Sequence, residues 1–331
     1  ARGTINARIR LATFNLENLD DGPGATIPVA DRVAVLRPQL ARLSADILFL
    51  QEVNGQPVRG PRTLAALDAL LDGTDLAGFH RVATESPSGG PMDKQNLVIL
   101  SRWPIRTRRQ VWHDLLPPPL VPDIATPHAD ADLRPLRWDR PILHAAIELP
   151  GGVLLHAINL HLRAPLAAYV DGQKLGPFAW RSSAGWAEGF WRAAVQRSGQ
   201  AFEARLLVDE ILDTDAAALI AVCGDFNCEA AEMPARILMA AHEDTGNNAL
   251  AGRSLAPVEA VVPAERRYSV IHAGRHLLLD HMLASRRLLG GVVLAEIHNA
   301  ALGDEMIGYA NAGATPDSFH APLVVEIVLP D

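Results

Sequence analysis

Apolar and polar positions alternate through residues 8–16, RIRLATFNL, a pattern that predicts a strand. Residues 46–53, DILFLQEV, are an almost unbroken apolar run stopping at a carboxylate, the mark of a strand buried on both faces. Between them, residues 29–43 repeat at helical spacing, with Val33, Leu36, Leu40 and Leu43 on one face. Pro38 falls inside this helix, as a point for a kink or a break. A second helix is expected over 62–71. Residues 79–85, 96–101 and 105–113 read as strands, and the Pro- and Gly-rich stretches 86–91 and 117–127 read as loops. Residues 140–149 and 152–161 predict a hairpin turning at Pro150, Gly151 and Gly152. A long amphipathic helix is expected over 185–212, with Trp186, Phe190, Val195, Phe202, Leu206 and Ile211 as its core-facing stripe. Residues 217–224 read as a strand and 233–241 as a short helix; 276–284, 291–298 and 322–329 complete the strands. Strands in pairs, with helices at intervals, predict mixed sheets covered by helices. No stretch of changed composition divides the chain, so a single domain over 1–331 is expected.

Composition narrows the picture. Apolar residues make up 49% of the 331 residues, enough for a sizeable core, with a mean hydropathy of +0.09. No apolar run approaches the ~20 residues of a membrane helix, so no membrane span is expected. The opening ARGTINARIR has no apolar signal-peptide core, which makes a cytoplasmic location the default expectation. A net charge of -8 excludes a protein that coats nucleic acid through global charge. A phosphate-bearing substrate would need a local basic rim and metal. Only Lys94 and Lys174 are lysines among 30 basic residues, which reads first as codon bias and second as forked donors suited to phosphate. The two cysteines, Cys223 and Cys228, exclude a disulfide framework and read as buried thiols.

The candidate chemistry sits where apolar runs stop. In AVCGDFNCEA, residues 221–230, the run breaks off at Gly224, Asp225, Phe226 and Asn227. Taken alone this is a turn. Other segments end alike: the first strand delivers Asn15 and Glu17, the next Glu52, and the hairpin Asn159 and His161. LLLDHML places Asp280 and His281 inside an apolar run, and DSFHAPLVVEI places Asp317 and His320 before the closing strand. Each residue has a plain structural reading as a turn acceptor or a satisfied histidine. Asp280 is the hardest to dismiss, because a carboxylate in such a run costs several kcal/mol unless paired or metal-bound. Sites in open α/β sheets assemble at strand ends. Several carboxylates with two amides suit a hard divalent cation, leaving the histidines for proton transfer or charge stabilisation.

Eight segments in this order resemble the endonuclease/exonuclease/phosphatase superfamily of metal-dependent phosphoesterases, which includes pancreatic-type deoxyribonuclease and abasic-site endonucleases. They are TFNLENL (13–19), LFLQEV (48–53), NLVILSRWPI (96–105), WDRPIL (138–143), NLHLRAP (159–165), GDFN (224–227), LLLDHMLAS (277–285) and SFHAP (318–322). The resemblance implies a four-layer α/β/β/α sandwich, two mixed β-sheets face to face with helices outside. It implies a hydrolase using Mg²⁺ or Mn²⁺, with Glu52 as the principal metal ligand and Asn15 and Glu17 beside it. Asp225 and Asn227 would orient the attacking water. His161 and His320 would flank the scissile phosphate, Asp280 would support a histidine or a second metal, and Arg140 with Asn15 would contact the phosphate. The general base is open between Asp225 and His320.

The superfamily usually ends in Ser-Asp-His, where this chain has Ser318-Phe319-His320. The missing aspartate would fix the histidine tautomer, and Asp317 or Asp280 is the expected substitute. The inositol-phosphatase and abasic-endonuclease signatures are absent, and NLEN is closer to general bacterial nuclease-like members. The expected activity is hydrolysis of phosphodiester bonds, with nucleic acid as substrate and no obligatory protein partner. The alternatives are a phosphatase or lipid-headgroup phosphodiesterase on the same site, and a catalytically weak binding module. Residues 117–137 and 163–181 are the expected substrate-selecting surfaces, and neither carries an aromatic-plus-basic ladder of the single-strand-binding kind.

Overall fold

A computed structural model describes residues 7–126, 133–312 and 315–329. Twelve strands build two six-stranded mixed sheets. The strands of the first sheet are β1 (Arg8–Leu19), β2 (Ile47–Val53), β3 (His80–Ala83), β4 (Asn96–Ser101), β11 (Val292–Ile297) and β12 (Leu323–Val328), in the spatial order β11-β12-β1-β2-β4-β3. The second holds β5 (Ile105–Val111), β6 (Ile142–Glu148), β7 (Leu154–His161), β8 (Leu219–Asp225), β9 (Leu255–Pro257) and β10 (Asp280–Ser285), in the order β9-β10-β8-β7-β6-β5. Helices α1 (Val29–Leu43) and α2 (Ala65–Leu71) cover the outer face of the first sheet. Helices α3 (Ser183–Thr214) and α4 (Met233–Met239) cover the second. The apolar runs of the inner strands follow from this layering, because both of their faces are buried.

Between the sheets lies a core that includes Leu11, Ile47, Phe49, Ile99, Leu219 and Met282. Near its upper edge it turns polar. The fully buried Asn159 of β7 donates to Leu50 O and Val98 O of the first sheet, both at 3.0 Å, and accepts from Gln51 Nε2 at 2.8 Å. A register shift between Leu50 and Val53 in the β2–β4 ladder accompanies these carbonyls, which turn to Asn159. Asn159 is thus a clamp between the sheets.

One parallel pair lies within each sheet. β1 runs parallel to β2, and β7 runs parallel to β8, with His161 directly opposite Asp225. Antiparallel β10 begins where β8 ends, with Asp280 opposite Asp225. The carboxyl ends of four strands and the start of a fifth therefore converge at one end of the sandwich.

The structure departs from the sequence expectations at four places. Pro38 neither kinks α1 into two nor divides it. The expected helix over 62–71 begins at Ala65, because Gly60–Thr63 pairs with Gln56–Val58 in a small hairpin. The expected strand over 276–284 is two strands: Arg275–Leu277 pairs with Val270–His272, and β10 starts afresh at Asp280, with Ser269 Oγ accepting from both Leu279 N and Asp280 N at 3.1 Å. The aromatic stripe of α3 does not face the core. Trp186, Phe190 and Phe202 are exposed, and of the six predicted residues only Ile211 is buried. Toward its N-terminus the buried face is polar, and Glu188, Arg192, Gln196, Gln200 and Glu203 grip the loops that cross it, while Ala204, Leu207, Val208 and Ile211 further along pack on the second sheet. Glu203 accepts from Trp138 Nε1 at 2.6 Å and Leu115 N at 3.1 Å, Gln196 donates to Arg137 O at 2.6 Å, and Gln200 donates to Arg140 O at 2.8 Å. Cys223 and Cys228 are buried and unpaired, and burial pushes the Cys228 thiol up to about 12. Among the described residues, no helix is long and apolar enough to cross a membrane.

Candidate active site

Strand ends place five of the predicted residues against one another. Asn15, fully buried at the end of the straight part of β1, donates through Nδ2 to Glu52 Oε1 and Asp225 Oδ2, both at 3.0 Å. Its own oxygen accepts from Glu17 N at 2.8 Å. Asn18 N donates to Glu52 Oε2 at 3.0 Å, so both oxygens of Glu52 are oriented. His161 Nε2 lies 3.7 Å from Glu52 Oε1 and 3.5 Å from Asp225 Oδ2. Across Asp225, His320 Nε2 lies 3.9 Å from Asp225 Oδ2, while its Nδ1 pairs with Asp280 Oδ2 at 2.8 Å. Asn227 follows Asp225 by two residues, with a backbone φ of 49°. That turn lets Asn227 N donate to Asp225 Oδ1 at 2.8 Å and Asn227 Nδ2 donate to Leu162 O at 2.9 Å and Asp225 Oδ2 at 3.2 Å.

Gly224 allows this crowding. Its φ is 143°, and a Cβ there would meet Leu160 O at 1.8 Å. The GDFN turn thus depends on a glycine where β7 and β8 touch.

Burial sets the charges. Asp225, desolvated, is raised to about 7 despite the opposing pull of His320, with Asp280 and Glu52 adding to the rise. His161 is held well below the ordinary histidine value by burial, with Arg140 and His320 adding to the effect. Burial opposes a charge on His320 as well, yet Asp280 and Asp225 lift it well above its ordinary value. The two histidines on this cluster of acids are thus pushed in opposite directions, His161 toward its neutral form and His320 toward its charged one.

Arg140 is buried at the cavity edge. It donates to His161 O at 3.1 Å and to the side-chain oxygen of Gln95. Gln95, which the sequence reasoning missed, also stands in left-handed backbone, at φ 55°, with its N–H on Asn54 Oδ1. Arg197 of α3 fixes the turn from behind through Asn227 O at 2.9 Å.

Glu52, His161 and Asp225 present ligand atoms within 4.8 Å of one another, and so do Asp225, Asp280 and His320. Asp280 Oδ1 is buried without a hydrogen-bond partner, an orphan that a cation would satisfy. The carboxylate oxygens suit Mg²⁺ or Mn²⁺. The residues fit such an ion.

Other predicted residues are placed differently. Glu17 Oε2 accepts from Phe319 N at 2.6 Å, and Glu17 belongs to neither of these metal-competent groups. Asp317 accepts from Gln39 Nε2 at 2.7 Å and caps Ser318 N, so the carboxylate on His320 is Asp280 and not Asp317. Phe319, standing where the superfamily has aspartate, is buried against Gly303 and Gly308. The cavity above these groups has a volume of about 310 Å³, with Arg140, Asp139, Arg163 and Glu305 among its lining.

The Endonuclease/Exonuclease/phosphatase family matches residues 12–304. Among solved structures, an endonuclease/exonuclease/phosphatase family protein of Bacteroides thetaiotaomicron superposes with a TM-score of 0.58 at 14% identity, covering 98% of this chain and 96% of its own. A mannosyl-6-phosphatase from Bacteroides thetaiotaomicron VPI-5482 gives a TM-score of 0.57 at 15% identity, covering 97% of this chain and 100% of its own. The 3′ phosphatase NExo from Neisseria, bound to a product DNA hairpin, gives 0.54 at 16% identity, covering 96% of this chain and 99% of its own. At these identities the likeness shows the fold, a four-layer sandwich of two mixed sheets. No curated protein matches the chain in sequence.

Proposed function

The chain belongs to the Endonuclease/Exonuclease/phosphatase family, whose members are phosphoesterase hydrolases, and from that premise we propose a divalent-metal-dependent phosphodiesterase that uses Mg²⁺ or Mn²⁺ to cut a nucleic-acid strand. The observation that carries the proposal is the shared Asp225, common to the Glu52–His161 group and to the Asp280–His320 group. A bound ion would supply Lewis acidity toward a phosphate oxygen and a template for the ester. Glu52 would hold it, with Asn15 orienting the Glu52 and Asp225 carboxylates from behind rather than ligating through its own oxygen. Asp280, joined to His320, would add to the charge of the second group.

The remaining groups act on the ester. His320, kept positive by Asp280, donates to a phosphate oxygen as negative charge develops there. Asp225 takes a proton from the attacking water, which Asn227, bonded to the same carboxylate, orients. Arg140 adds a fixed positive charge at the cavity edge.

A second reading, a phosphatase or lipid-headgroup phosphodiesterase on the same site, has its own support. The cavity holds about 310 Å³, room for a small ester, and Glu17, Asp139 and Glu305 line it. Arg163, a cation at its mouth, is tied to Asp139 at 2.6 Å. Supercoiled plasmid, a bis-aryl phosphodiester and an aryl monoester, each with Mg²⁺ or Mn²⁺, separate the readings. Nicking of plasmid supports the nuclease. Cleavage of the small diester or monoester alone moves the assignment to the second reading.

A further inference from the structure

Beyond the catalytic residues, one surface is out of keeping with a solvated exterior. From the cavity rim at Arg163 and Leu166 the chain runs to a tight turn, residues 174–181, KLGPFAWR. Its base is fixed: Lys174 and Trp180 form a bridge, and Arg181 N donates to Gln173 O at 2.8 Å. The buried Gln173 donates in turn to Ala125 O at 2.9 Å and accepts from Ser182 Oγ at 2.8 Å. The tip is apolar. Phe178 is 94% exposed and Leu175 61% exposed, on either side of Gly176 and Pro177. Trp180 packs toward Gly189 of α3, joining the turn to the first turns of that helix, where Trp186 and Trp191 are also exposed.

We propose that this turn, with the start of α3, docks the protein onto an anionic lipid bilayer. Three features select that occupant. The tip carries Leu and Phe on a Gly-Pro bend, side chains that gain by entering the acyl boundary. Trp180 of the turn packs toward Gly189, and the first turns of α3 carry exposed Trp186 and Trp191, the residue type that settles at the headgroup level. Lys174 and Arg181 bracket the tip with no acid between them, in a chain of net charge -8, and match anionic headgroups. The nearest acids in sequence are outside the turn and already engaged: Asp171 accepts from Tyr169 Oη at 3.2 Å, and Glu188 of α3 is buried and accepts from Arg192 Nε at 3.1 Å. Lys174 Nζ lies 5.3 Å from the Trp180 ring centre, placing its charge over the indole. A nucleic-acid strand would ask for a run of cations that this face lacks. The turn lies in the stretch 163–181 expected to select substrate, but Arg163, Ala164 and Leu166 of that stretch line the catalytic cavity and none of residues 174–181 does, so the inference does not rest on the substrate reading above.

Flotation with vesicles tests it, using phosphatidylcholine alone and phosphatidylcholine with about one third phosphatidylglycerol. The wild type should float with the anionic vesicles, and less as salt is raised. Phe178→Asp should cut the bound fraction about tenfold or more while keeping the wild-type melting temperature and solution hydrolysis of a small diester. Lys174→Gln with Arg181→Gln should bring binding on anionic vesicles down to the level on neutral ones. Three results would overturn the proposal. The wild type could stay unbound on both vesicles, or Phe178→Asp could float as well as wild type. The surface could instead serve another partner, shown by wild-type dimers or by oligonucleotide binding that Phe178→Asp abolishes, with no flotation.

Discussion

Glu17, Glu52 and Asn227, all singled out from the sequence, stand in left-handed backbone, at φ 48°, 59° and 49°. Such conformations are uncommon outside glycine and persist where surrounding contacts over-determine them. Here those contacts are the hydrogen bonds from Asn15 and Asn18 to Glu52, from Asn227 to Asp225, and from Glu17 N to Asn15 Oδ1. The residue types were legible because a carboxylate or imidazole at the end of an apolar run has no core role. Their division of labour was not. The spacing in DSFH left Asp317 and Asp280 equal candidates for His320, and only the register of β10 against β8 brings Asp280 to the ring. Gln95 gave no signal, because its role depends on a backbone turn and on Arg140 arriving from another strand. Asp280→Asn should lower kcat by about 10² or more, the range for losing a positioned proton-transfer group, and displace the pH–rate profile. Asp317→Asn should leave the profile where wild type has it, since Asp317 serves Gln39 and Ser318. A displaced profile in the second variant would place Asp317 in the histidine's circuit.

At the level of elements, the sequence showed most of the strands and both long helices but misjudged which way α3 faces. Hydrophobic periodicity pointed the aromatics inward. The helix instead buries the polar series Glu188, Arg192, Gln196 and Gln200, four residues apart, because the loops over it expose backbone that needs partners. That polar spacing was the available signal. Phe202, 42% exposed, still covers part of its ring, so Phe202→Gln should cost about 1–2 kcal/mol. Glu203→Ala, next to it, should cost about 3 kcal/mol by stranding Trp138 Nε1 and Leu115 N. Thermal unfolding of both variants reads the contrast, and reversed magnitudes would return the aromatic stripe to the core.

The β6–β7 hairpin carries a separate pH dependence. His144 and His156 stack with ring centres 5.3 Å apart, their nitrogens 3.0 Å from each other. Burial, with His156 and Arg109 adding to it, depresses His144 to about 4, and burial depresses His156 as well. A depressed folded value means the contribution is fully present above the unfolded value near 6.5 and lost as pH falls through about 4. For His144 this is about 3 kcal/mol. Urea midpoints between neutral pH and about pH 4 should fall less steeply in His144→Phe than in wild type. Parallel slopes would mean that His144 is not held neutral.

Over the whole molecule, two sheets meet so that the carboxyl ends of β1, β2, β7 and β8 and the start of β10 share one end of the sandwich. The ordered motifs made this layering legible. The sheet-to-sheet clamp at Asn159 and Gln51 was not, because an amide at a strand end reads equally as a ligand or a turn former. The acids gathered there repel one another, and Asp280 Oδ1 is unsatisfied. The proposed chemistry stands or falls on an ion that satisfies them. Its sharpest test is hydrolysis of a bis-aryl phosphodiester by wild type and Glu52→Ala, each stripped of metal and then titrated with Mg²⁺ or Mn²⁺. Stripped wild type should be inactive and either ion should restore it, while Glu52→Ala should lose about 10³ or more at saturating metal. Full activity in the stripped enzyme, or undiminished metal-dependent activity in Glu52→Ala, would contradict a metal held at these strand ends.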